Sequence, residues 1–171
     1  MKQIYTLILL VTVSLSANSQ SWMTKSYDNL RYSYPNDWSE VEYIKANNNT
    51  SYGAQYLDIG KIAQFSVIET PNGTGMTDAH SITDEDMRTV IQNLFNPKSY
   101  FQNISNRKIE NVNAKYAKVS VTGNNGKNLS SVNYIIFYKG KMIIIQGIYT
   151  TDQEKEFLPT LEKIIKEVEV L

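Results

Sequence analysis

Two nearly continuous apolar runs near the C-terminal end set the strongest limit on the fold. In residues 131–138, Val132, Tyr134 and Ile136 alternate with Ile135 and Phe137, so both faces of a strand here are apolar. Lys139-Gly140 turns the chain into residues 141–149, which carry Met142-Ile143-Ile144-Ile145 and are again apolar almost throughout. Strands of this kind belong at the centre of a sheet that is covered on both faces. The rest of the chain must therefore supply two covering layers.

Two segments have the pattern to do so. Thr83 is placed to cap a helix with Asp84, Glu85 and Asp86 in its first turn, where the free amides and the dipole favour negative charge. Met87, Val90, Ile91, Leu94 and Phe95 then fall on one face, and Asn96-Pro97 ends the helix. Thr151-Asp152-Gln153-Glu154 reads as a capping box opening a final helix. Phe157, Leu158, Leu161, Ile164, Ile165 and Val168 form its stripe, and Pro159 either kinks it or starts a second helical segment.

Period-two alternation marks the remaining strands at 30–34, 41–45, 52–57, 61–69, 106–110 and 114–122. Ala63, Phe65 and Val67 share one face of the fourth strand, and Ala117, Val119 and Val121 one face of the last. Turns are expected at Asn47-Asn48-Asn49, Asp58-Ile59-Gly60, Asn111-Val112-Asn113 and Gly123-Asn124-Asn125-Gly126. Residues 20–29 read as an exposed lead-in, with Trp22 able to pin to the body. Residues 70–81, with Pro71, Gly73, Gly75 and His80, form a long aperiodic connection of the functional or mobile kind. The fold class is α+β, an antiparallel sheet flanked by helices, as one domain over 20–171.

Residues 1–19 have the order of a secretory signal peptide: Lys2, an apolar centre at Leu7-Ile8-Leu9-Leu10-Val11, then small residues to Ser19. The apolar run is shorter than a membrane span, and none after residue 20 approaches one. The expected mature protein is secreted or periplasmic, with no integral membrane segment. Frequent Asn, Lys and Ile suggest a bacterial, AT-rich coding sequence. The chain contains no cysteine, which closes off a lipid anchor, disulfides, thiol catalysis and cysteine metal sites. Without the leader, 16 of the 17 basic residues face 17 acidic ones, a balance that gives nucleic acid no electrostatic purchase.

The stretch Tyr32-Ser33-Tyr34-Pro35-Asn36-Asp37-Trp38 resembles the strand-then-turn signature of PsbP-like and DcrB-like proteins. The second half is similar to them as well: a turn at 109–114, a long hairpin at 131–149 and a C-terminal helix at 151–171. Asn113 stands where such proteins often place Gly in that turn. The resemblance implies a helix–sheet–helix sandwich in an exported accessory or binding domain, and no single chemistry. None of the metal-associated residues of its photosynthetic members is carried over, and no cofactor or metal is expected. Physically, Pro35 ends pairing, Asp37 bonds nearby amides and Trp38 plugs the open end of the sheet, all in the service of the fold.

Candidate working residues are few. His80 is the one imidazole, available as a base beside Asp78 or as a ligand, against the plainer reading of a solvated loop residue. Tyr43, Tyr52 and Tyr56 combine apolar faces with polar tips, which suits an interface, and equally fit half-buried strands. With His80 they make the candidate partner or ligand surface. The expected function is a non-enzymatic accessory or binding domain with a protein or envelope partner. A carrier of a small hydrophobic ligand is the alternative, and it needs free volume between Phe65, Ile136, Ile145, Phe157 and Ile164. An envelope hydrolase centred on His80 ranks third.

Overall fold

The computed structural model describes residues 21–94, 99–122 and 128–171. The expected signal peptide, the Asn96-Pro97 helix stop and the Gly123–Gly126 turn lie outside the described residues. Among those described, ten strands and two α-helices follow the order β1 (Trp22–Ser26), β2 (Leu30–Pro35), β3 (Ser39–Ala46), β4 (Asn49–Asp58), β5 (Lys61–Pro71), α1 (Asp84–Leu94), β6 (Tyr100–Ile109), β7 (Val112–Thr122), β8 (Asn128–Tyr138), β9 (Lys141–Thr150), α2 (Glu154–Lys166) and β10 (Glu169–Val170).

Seven strands form one antiparallel sheet in the order β3-β4-β5-β9-β8-β7-β6. The two apolar runs occupy β8 and β9, inside the sheet as their composition requires. Their turn, Lys139-Gly140, has positive φ at both residues (46° and 72°), the geometry that matches strand twist in a two-residue hairpin. β3 and β6 are the free edges.

One face of this sheet meets α2 and a second, three-stranded sheet in the order β1-β2-β10. Tyr32, Tyr34, Phe65, Val67, Ile136, Ile145, Phe157 and Ile164 are buried together there, and Trp38 packs against Tyr56. Gly147 lets α2 approach: a Cβ at that position would stand 3.1 Å from Val132 Cγ2 and 3.2 Å from Leu161 Cβ. The opposite face meets α1 and a 3-10 turn at Ala79–Ser81, burying Met87, Ile91, Ala117, Val119, Ile135 and Ile144. The α+β sandwich is as expected.

Several expectations change. Residues 22–26 are no lead-in: they form β1 and pair with β2, and the Lys163 ammonium lies 4.0 Å over the Trp22 ring. The turn before β7 is Glu110-Asn111, with Glu110 at φ 48°, while Asn113 belongs to β7 opposite Lys108. Thr151–Gln153 is a 3-10 turn, and no capping box forms at the start of α2. Its two side chains are engaged elsewhere: Thr151 Oγ1 pairs with Ser130 Oγ, and Glu154 holds Lys118 and Tyr149. The reciprocal box sits at α1, where Asp86 N–H donates to Thr83 Oγ1 (3.1 Å) and Thr83 N–H donates back to Asp86 Oδ2 (3.4 Å). Pro159 lies within an uninterrupted α2.

Candidate functional site

The tyrosines gather at the β3–β4 margin of the face that carries the small sheet. Tyr27, in the β1–β2 turn, stacks with Tyr52 (4.1 Å between centroids) and with Tyr43 (5.4 Å), which are themselves 6.3 Å apart. Behind Tyr52, Tyr32 stacks at 6.1 Å and itself touches Phe65. Tyr52 is 1% exposed and donates to Glu69 Oε1 (2.7 Å), while Asn29 Nδ2 donates to Glu69 Oε2 (2.7 Å). A buried carboxylate thus receives two donors, which offsets the cost of its burial.

Outside the stack, Tyr27 donates to Glu40 Oε1 (2.5 Å), and Lys25 pairs with Glu40 Oε2 (2.8 Å). These two donors, Lys25 first, hold the Glu40 carboxyl below its ordinary range. Burial, then the hydrogen bond to Glu40, pushes the Tyr27 phenol up to about 12. The Tyr32 hydroxyl is buried and, among the described residues, has no hydrogen-bond partner.

His80 lies elsewhere. Asp78 caps the 3-10 turn by accepting from the His80 amide (2.9 Å), and the same oxygen accepts from Asn113 Nδ2 (3.0 Å). These donors lower the Asp78 carboxyl. The His80 ring places Nε2 2.8 Å from the Arg107 carbonyl oxygen, an acceptor only, so Nε2 carries the proton. Asp78 therefore meets the His80 backbone, and the imidazole clamps the connection to β6. Further back, Asn72 accepts from Thr74 and donates to Met76 O (2.5 Å), closing the loop on itself.

The candidate surface is accordingly divided. Tyr43 is 42% exposed on edge strand β3, beside Ile44 at 51%. Tyr52 is core, and Tyr56 is half-buried against Phe157 and Trp38. His80 is separated from all three, because its 3-10 turn packs on the other face, near β6 and β7. Pro35 and Trp38 are buried where β2 turns towards β3, and Asp37 lies in that turn. Among the five residues that a carrier would have to part, none exceeds 4% exposure, and they close on one another in a single cluster.

Two residues were not singled out by sequence. Tyr27 was hidden in the supposed lead-in, and the Tyr27-Asp28-Asn29 turn directly before the strand at 30–34 was the available signal. Arg107 lies flat on Tyr116, 3.7 Å from the ring centroid, and donates to the Tyr134 hydroxyl (3.3 Å). Nothing local marks it, since its partners come from β7 and β8.

No protein-family model and no curated protein matches the sequence. Solved structures do match. Cyanobacterial PsbP (CyanoP) from Synechocystis superposes with a TM-score of 0.67 at 15% identity, over 91% of this chain and 96% of that one. LpqN, involved in cell envelope biogenesis of Mycobacterium tuberculosis, gives 0.55 at 14% identity over 88% and 90%. The Ran-binding protein Mog1p of Saccharomyces cerevisiae gives 0.50 at 9% identity over 88% and 96%. The likeness is one of fold, and the fold is PsbP-like. Among the described residues no helix is long and apolar enough to cross a membrane.

Proposed function

We propose that this protein is an exported accessory domain of the cell envelope that works by docking a protein partner, with no covalent step. The observation that carries the reading is edge strand β3. Its outer backbone groups are unpaired, nearly all its residues are exposed, and Tyr43 and Ile44 stand out from it. An unpaired edge offers main-chain hydrogen bonds to an added strand, and alternate side chains give selectivity. Tyr27 and Tyr52 back Tyr43, so its ring is ordered before any contact is made, which lowers the cost of binding. The fold shared with LpqN supports a place in the envelope, and the fold shared with Mog1p supports a protein partner. The sequence order of residues 1–19 supports export.

The test is a photo-crosslinking residue at Tyr43 in the native cell envelope, with a second at Thr24 on β1 as control. One specific adduct should form from Tyr43, and Ile44→Asp in the same chain should reduce it at least about tenfold. No adduct, or the same adducts from both positions, overturns the reading.

A further inference from the structure

At the opposite margin of the same sheet face, α2 leaves a cavity of about 300 Å³ lined by Arg107, Lys108, Ile109, Glu110, Tyr134, Glu162, Ile165 and Lys166. We propose that this cavity is a binding site for a monocarboxylate with a short apolar neighbour, gripped by the Arg107 guanidinium and the Tyr134 hydroxyl.

The guanidinium is anchored without being neutralised. One face lies on Tyr116 and one N–H goes to Tyr134, yet no carboxylate among the described residues comes within ion-pair distance. Of its five N–H donors most remain open, in the planar fork that matches a carboxylate. His80 holds the same residue by its backbone carbonyl, which fastens this stretch of β6, while Tyr116 and Tyr134 set where the fork points. The Tyr134 hydroxyl accepts from Arg107 and, among the described residues, meets no acceptor for its own proton, so it is a second donor into the cavity. Burial keeps that phenol protonated.

Size and charge select the ligand. The volume suits a small acid or the end of a peptide. Ile109 and Ile165 are buried walls for an apolar group next to the carboxylate. Glu110 and Glu162 line the cavity too, against Arg107, Lys108 and Lys166, so the lining leaves one positive charge in excess, which a single carboxylate matches and a phosphate dianion exceeds. Glu110 is partly engaged by the Val170 amide (3.1 Å), leaving Glu162 as the main opposing charge.

Titrations of the protein with sodium butyrate, a capped tripeptide ending in a free Leu carboxylate, its C-terminal amide and inorganic phosphate, followed by amide NMR shifts of Lys108 and Glu110, test the assignment. One or both acids should saturate below about 10 mM, and the amide should not. Saturation by butyrate identifies a free acid, and saturation by the peptide alone identifies a chain terminus; either supports the site. Arg107→Gln should weaken binding about tenfold or more, since it removes a charge-assisted pair while the backbone bond to His80 persists. Glu162→Gln should tighten binding about twofold, a gain that misfolding cannot imitate. Failure of both acids to saturate, tighter binding of phosphate, unchanged affinity in Arg107→Gln or no gain in Glu162→Gln would each overturn the proposal.

Discussion

The two faces of the seven-stranded sheet are built from different materials. The face under α1 is mainly aliphatic and thioether: Met87, Ile91, Ala117, Val119, Ile135 and Ile144, with Met76 and Met142 at its border and Phe137 and Phe101 as its rings. The face under α2 and the small sheet adds to its own aliphatic residues a large aromatic set, Tyr32, Tyr34, Tyr52, Tyr116, Tyr134, Tyr149, Phe65, Phe157 and Trp38. Aliphatic side chains suit a covered interior, because they have no polar atom to satisfy. Tyrosine suits a border, because its ring can be buried while its hydroxyl reaches a partner. The α2 face has two such borders. At β3–β4 the phenols meet Glu69 and Glu40, and at β6–β7 they meet Arg107. Both surfaces argued for above lie on this face because α2 and the small sheet cover its middle and leave its margins in tyrosine.

The largest effect should separate the faces by stability. Phe157→Ala empties a site between α2 and the sheet and should cost about 3–5 kcal/mol, and more than Met87→Ala under α1, for which the range is about 2–5 kcal/mol. Urea denaturation of the two variants measures the gap, and equal losses would erase the distinction.

Alkali should act on the aromatic face selectively. Burial raises the phenols of Tyr32, Tyr52 and Tyr149 and pushes Tyr27 and Tyr116 up to about 12, above the ordinary value of 10.0. A group whose folded value is raised contributes stability that is complete below the unfolded value and lost as pH climbs through the folded one. Stability should therefore hold up to about pH 10 and fall from there through about pH 12 and beyond. Phenolate absorbance should rise together with loss of the near-ultraviolet circular dichroism. A phenolate step that leaves the tertiary signal intact would show that the buried rings are not what holds this face.

The smallest effect concerns the ion pair that tethers α2. Lys118 Nζ lies 2.8 Å from Glu154 Oε1, and both groups are partly solvated. Glu154→Gln should cost less than about 1 kcal/mol in the same denaturation assay. The Glu154 carboxyl is lowered first by its bond to Lys118, so its contribution is present above the ordinary value of 4.5 and fades as pH falls below it. A loss as large as that of Phe157→Ala would mean that charge, and not ring burial, fastens the helix.

What the sequence disclosed follows from how local each signal is. The central hairpin was legible because Ile135, Ile136, Ile143, Ile144 and Ile145 leave a strand no wet face. The helices were legible from stripes, apart from the box at Thr151, whose hydroxyl and partner carboxylate were drawn off by Ser130 and Lys118 on neighbouring strands. The three-stranded sheet was half hidden. β10 is only Glu169–Val170, and β1 has no alternation of its own, being largely exposed and drawn into a sheet only by β2 lying beside it. Tyr52 was visible as an amphipathic residue, but only Glu69 and Asn29, from distant strands, decide that it faces inward. Arg107 acquires its setting from Tyr116, Tyr134 and His80, none of which lies in its own strand.

The strand order also divides the chain in time. β3, β4 and β5 form one meander and β6 to β9 another, each made of neighbours in sequence, and the two are joined only where β5 lies along β9 from Ala63↔Tyr149 to Pro71↔Lys141. Each meander can therefore begin as local hairpins, while the seam between them must wait for the closure of a long loop. α2 emerges after both and presses across β5 and β9, so the last helix locks the slowest joint. A chain threaded out of a cell from its N-terminus would keep its first meander waiting, open-edged at β5, until the final strand of the second arrived.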